Sequence, residues 1–130
     1  MKTPSKAFSI AIAGPILAGK EEPWRRFLQE LSGSRSREYG DLMQRLGILA
    51  ERIWLMRTRG GETAIAYFEA RDPQQALARL AASEEPFDLW FKEKLREFHG
   101  CDLARLQEGW YPELVFALGG HEPHGTGGQA

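Results

Sequence analysis

The chain has 130 residues, the size of one domain with a modest core. Its 42% hydrophobic and 27% charged content is ordinary for a soluble globular chain, and a formal net charge of −1 argues against nucleic-acid or anionic-membrane binding by bulk electrostatics. The single Cys101 excludes an intrachain disulfide framework and a four-cysteine zinc site, and no apolar run is long enough for a spanning helix.

Met1 to Lys6 lacks the apolar core of a signal peptide, so the cytoplasm is the expected compartment. Ala7–Ala13 alternates, with Phe8, Ile10 and Ile12 on one face, and reads as a first strand ended by Gly14-Pro15. Glu22–Leu31 carries Trp24, Phe27, Leu28 and Leu31 at helical spacing. Pro23 suits its first turn. Tyr39, Leu42, Met43 and Leu46 repeat the spacing in a second helix from about Arg37 to Leu46, with Gly47 as its C-terminal cap.

Two strand-like runs follow, Arg52–Thr58 and Thr63–Ala70, with Gly60-Gly61 between them as a two-residue hairpin loop. That loop sets a register in which Trp54 faces Tyr67 and Arg52 faces Glu69, all four on one face of the sheet. Asp72-Pro73-Gln74-Gln75 starts a third helix, with Asp72 as cap and Gln75 completing a capping box. Phe87, Trp90, Phe91, Leu95 and Phe98 mark a fourth helix that ends at Gly100. Glu113–Leu118 alternates again and reads as a fourth strand. Residues 1–118 form the expected domain, and Gly119–Ala130 reads as a flexible, Gly-rich tail.

Strand, helices, strand, strand, helices, strand is the split pattern of a ferredoxin-like α+β sandwich with a four-stranded antiparallel sheet. Phe8, Ile10, Ile12, Ile53, Leu55, Ala66, Phe68, Leu114 and Phe116 are assigned to the helix side. The other face carries Arg52, Trp54, Met56, Ile65, Tyr67 and Glu69, a patch too apolar for open water. A second copy of the same sheet is the simplest cover. It would give a homodimer with a cavity between facing sheets.

The stretch from Trp24 to Leu103 carries Trp24-Arg25-Arg26-Phe27, Glu51-Arg52-Ile53-Trp54-Leu55, Tyr67-Phe68-Glu69-Ala70, Pro86-Phe87-Asp88-Leu89-Trp90-Phe91 and His99-Gly100-Cys101-Asp102-Leu103. In these segments the chain resembles the dimeric α+β-barrel proteins. More closely, it resembles a group of small uncharacterised bacterial proteins of that superfamily. The resemblance implies a ferredoxin-like dimer and brings no assigned catalytic residues. The superfamily spans monooxygenases, haem enzymes, isomerases and proteins without known chemistry, so fold does not dictate function.

Gly14-Pro15-Ile16-Leu17-Ala18-Gly19-Lys20 follows the phosphate-loop spacing, but Glu21 stands where the metal-binding Ser or Thr belongs, and nucleotide hydrolysis is not expected. Arg52, Trp54, Tyr67 and Glu69 are the candidate ligand-binding residues, for a small apolar or aromatic molecule. Glu69, Tyr67 and His99 are the candidate catalytic groups. Placement of His99 against a helix C-terminus, and of Arg52 and Glu69 as a self-neutralising cross-strand pair, are the structural alternatives. His121 and His124 are a weak metal signal and Cys101 has the pattern of a small buried thiol, so neither a metal nor a cofactor is expected. The leading expectation is a small-molecule-binding homodimer. The alternative is a cofactor-independent monooxygenase or isomerase acting on an aromatic or polyketide-like substrate.

Overall fold

The computed structural model describes residues 7–100 and 111–119. Its elements run β1 (Phe8–Pro15), α1 (Glu21–Ser32), α2 (Ser36–Leu46), β2 (Ile48–Thr58), β3 (Gly61–Ala70), α3 (Pro73–Ala82) and α4 (Pro86–His99). β1, β3 and β2 form a three-stranded antiparallel sheet in that order. The mixed α+β order is consistent with a ferredoxin-like arrangement. No helix among the described residues is long and apolar enough to cross a membrane.

The local signals act where the chain chemistry places them. Gly47 and Gly100 adopt left-handed φ of 75° and 64° and end α2 and α4. Asp72 Oδ1 accepts a hydrogen bond from Gln75 N at 3.0 Å, and Pro73 opens α3.

The hairpin departs from expectation. Its loop is Arg59-Gly60, and Thr58 pairs with Gly61 as the last rung. Trp54 therefore faces Ile65 rather than Tyr67, and Arg52 faces Tyr67 rather than Glu69, whose cross-strand neighbour is Ala50. The reason lies in the turn. Gly61, not Gly60, takes the left-handed φ of 119°. Thr58 Oγ1 closes the loop by accepting from Gly60 N and donating to Gly61 O. The displacement is two residues, an even number, so each side chain keeps its expected face.

A bulge at Leu49 then shifts the start of β2 by one residue. It turns Ile48, paired with Ala70, onto the helix side, in phase with Glu51, Ile53 and Leu55.

The expected fourth strand is absent among the described residues. Residues 112–118 have no regular structure, and Phe116 and Leu118 are 76% and 87% exposed. Leu114 and Phe116, assigned to the helix side of the sheet, therefore lie outside it. Chain geometry explains this. A strand antiparallel to β1 would enter beside Pro15, where α4 finishes. By Tyr111 the chain has already reached the opposite end, where burial, and then the charge of Asp72 just after β3, raise the Tyr111 hydroxyl's pKa. Alternating Leu114, Phe116 and Leu118 satisfy the period of a strand without meeting a ladder.

The helices form a layer knit to itself. Phe27 of α1 packs against Trp90, Phe91 and Phe98 of α4 with ring centroids 5.3–5.8 Å apart. Tyr39 of α2 meets Phe91 at 5.5 Å. Arg35 lies 4.0 Å from the centre of the Trp90 ring. Asp88, with 0% exposure, takes a two-pronged ion pair from Arg45 at 2.8 and 3.0 Å and a hydrogen bond from Ser83 Oγ at 2.6 Å.

Gly61→Ala should cost about 1–2 kcal/mol through backbone strain, whereas Gly60→Ala, with only an ordinary contact to Thr58, should be nearly neutral; urea denaturation of both variants checks this. Hydrogen bonds from Arg45 and Ser83 hold the Asp88 carboxyl below the usual carboxylate range against the opposing effect of burial. Its stabilisation is therefore full above the ordinary Asp pKa and lost as pH falls through the folded value. Arg45→Ala should cost on the order of 3 kcal/mol at pH 7, and the deficit should shrink towards pH 3 in thermal melts across pH.

Candidate functional site

Between the helix layer and the sheet lies a cavity of about 370 Å³, within the range that holds small organic ligands. Ile12, Ile48, Ile53, Ala66 and Phe68 line it from the sheet, and Leu28, Met43, Leu77 and Leu95 from the helices. Ile53 points to the helix side yet keeps 36% exposure. Helices riding on an aromatic ridge do not settle fully onto a sheet whose central strand offers only Ala64 and Ala66 before Phe68.

Three titratable side chains line this apolar space, Tyr39, Glu51 and His99. Glu51 occupies the alternating phase of Ile53 and Leu55, so β2 carries a carboxyl into the interior. Tyr39 comes from the buried stripe of α2, and its hydroxyl donates to Glu51 Oε1 at 2.6 Å. Burial is the chief cause that raises the Glu51 pKa, with the Tyr39 hydrogen bond opposing it. Burial and the neighbouring carboxyl both push the Tyr39 hydroxyl far up, so it stays protonated.

His99 closes the other end. Its ring packs over Gly14, where a Cβ would meet Nδ1 at 3.4 Å. Nδ1 lies 2.8 Å from the Pro15 carbonyl. A carbonyl only accepts, so Nδ1 carries the proton. Burial lowers the His99 pKa, with the Pro15 hydrogen bond opposing, and the imidazole is neutral at pH 7.

The residues expected to form the site divide between two sides of the sheet. Arg52, Trp54, Tyr67 and Glu69 share the outer face, and His99 lies on the helix side. No ion pair joins Arg52 to Glu69; Tyr67 Oη donates to Glu69 Oε2 at 2.7 Å instead. Trp54 and Met56 on that face are 53% and 50% exposed. Cys101, His121 and His124 lie outside the described residues.

Sequence reasoning missed Glu51 and Tyr39. Their signal was present: a carboxylate in phase with apolar strand residues, and a tyrosine on the apolar stripe of a helix, each a buried polar group in search of a partner. Comparison with protein-family models, with curated proteins and with solved structures finds no match to this chain.

Because its folded pKa is raised, Glu51 opposes folding increasingly as pH rises above the ordinary Glu pKa. Glu51→Gln keeps an acceptor for Tyr39 and removes that burden. It should raise the melting temperature by a few degrees at pH 8 and leave it unchanged at pH 4, as differential scanning fluorimetry over this range would read.

Proposed function

We propose that this protein binds an apolar small molecule in the cavity between its sheet and its helices. The observation that carries this reading is the Glu51–Tyr39 pair in an otherwise apolar space of about 370 Å³. A buried carboxyl opposes folding, and a side chain kept at such a cost is a mark of a binding or catalytic group. A few polar groups in an apolar pocket orient a ligand, while the apolar walls supply affinity.

A second reading, catalysis, is favoured by the same carboxyl. Burial raises its pKa against the opposing Tyr39 hydrogen bond, the direction that makes a carboxyl a better base and keeps it protonated to higher pH. Proton abstraction by Glu51 with its return at another atom would make the protein a cofactor-independent isomerase, and reaction of the substrate carbanion with dioxygen would make it a cofactor-independent monooxygenase, in either case acting on an aromatic or polyketide-like substrate. The binding reading requires less, since it needs the cavity and its polar pair but no proton transfer.

We further propose that the fold is a ferredoxin-like domain whose outer sheet face pairs with a second copy. The exposure of Trp54 and Met56 beside Ile65 and Tyr67 supports that pairing. Arg52, Trp54, Tyr67 and Glu69 would then lie between facing sheets, where a second apolar or aromatic ligand site would form.

Nile red, an uncharged lipophilic dye, should bind with a blue-shifted emission. Ala66→Phe, which fills the cavity from the central strand, should weaken this at least tenfold with the helix content intact. Unchanged dye binding in that variant would remove the cavity from the function. Sedimentation velocity should give a dimer at micromolar concentration and a monomer for Trp54→Glu.

A further inference from the structure

The polar groups of the cavity stand at opposite corners. Glu51 belongs to the row Ile10, Phe68, Glu51 across the three strands; His99 covers Gly14 in the row Gly14, Ala64, Leu55. The two rows are about 13 Å apart along the strands, and β1 and β2 about 10 Å apart across them. A single small polar group cannot reach both corners. A long molecule can, with apolar contacts between its ends.

The chemistry of each corner is restricted. At the first, the Tyr39 proton is committed to Glu51 Oε1, which leaves Oε2 without a hydrogen-bond partner among the described residues. That oxygen accepts when the carboxyl is ionised and donates when it is protonated. A hydroxyl serves both states, because it donates and accepts. At the second corner, the proton on His99 Nδ1 points at the Pro15 carbonyl, so Nε2 presents a lone pair and requires a donor. Among the described residues no Lys or Arg lines the cavity. A carboxylate or phosphate head would enter without a counter-charge and face Glu51. A head that is purely an acceptor, such as a ketone or ether, would leave Nε2 unsatisfied.

We infer that the ligand class of this cavity is an uncharged, elongated, apolar molecule with a hydroxyl at each end, one bound by Glu51 and the other by His99 Nε2. This rests on the cavity being a binding site. The apolar middle lies along Ala64 and Ala66, where the small side chains of the central strand leave the width for a flat or aromatic skeleton. The hydroxyls confer selection, since the corners reject what cannot donate and the walls reject charge.

Displacement of Nile red from the full chain tests the inference with three probes on one rigid skeleton: biphenyl-4,4′-diol, 4-phenylphenol and 4′-hydroxybiphenyl-4-carboxylate. The diol should compete about tenfold more strongly than the monophenol, as expected for one added hydrogen bond, and at least a hundredfold more strongly than the carboxylate. His99→Phe and Glu51→Leu, verified as folded by circular dichroism, should each reduce the diol to the level of the monophenol. Equal competition by all three probes, preference for the carboxylate, or a diol affinity unmoved by both variants would overturn the inference and leave the cavity a binding site. Failure of Nile red itself to bind in an Ala66-dependent way would overturn the underlying reading as well.

Discussion

A carboxylate with no access to water organises the helical half of this protein. Asp88 stands in the first turn of α4, Arg45 in the last turn of α2, and Ser83 at the end of α3. Their hydrogen bonds converge on two oxygens. Lys92 reinforces the junction by donating to the carbonyls of Ala81 and Ser83, and Arg79 by donating to the carbonyl of Arg45. Ion-pair geometry is directional where apolar packing is not, so three helix ends are held at defined positions. The aromatic ridge of Phe27, Phe91, Trp90 and Phe98 joins α1 to the same layer.

A helix layer that is coherent by itself does not have to collapse on the sheet. Its links to the strands lie around the rim. Leu17 N donates to the Phe98 carbonyl, Arg71 N to the Gly47 carbonyl, and Arg57 forms an ion pair with Glu21. His99 reaches Pro15 at one corner and Tyr39 reaches Glu51 near another. Between these ties, the small residues of β3 leave room. The cavity is thus a consequence of residue size on the central strand combined with a helix layer braced from within. Its hydrophobic walls would otherwise favour closure.

The two faces of the sheet carry different chemistry. The inner face is apolar apart from Glu51 in its covered part, and its polar groups are few and directed. The outer face mixes Trp54, Met56, Ile65 and Tyr67 with Arg52 and Glu69, and is exposed at Trp54 and Met56. The sheet therefore bounds a cavity on one side and presents exposed Trp54 and Met56 on the other.

Much of this was legible in the residues. Helix stripes, the caps at Gly47, Asp72 and Gly100, and the alternation of β1, β2 and β3 are local matters of spacing and backbone freedom, and they appear where the sequence places them. Face assignment survived a wrong hairpin register because side-chain direction repeats every two residues and the ladder slid by two. Which glycine takes a positive φ, by contrast, depends on the hydrogen bonds Thr58 can make around the turn. The partnership of Glu51 with Tyr39, of Asp88 with Arg45, and the seat of His99 over Gly14 join residues 12, 43 and 85 positions apart. Pattern along a chain records which residues want burial. It does not record which of them meet, and the failure of residues 113–118 to find a strand partner has the same origin: period is local, but a ladder needs an edge at the right place in space.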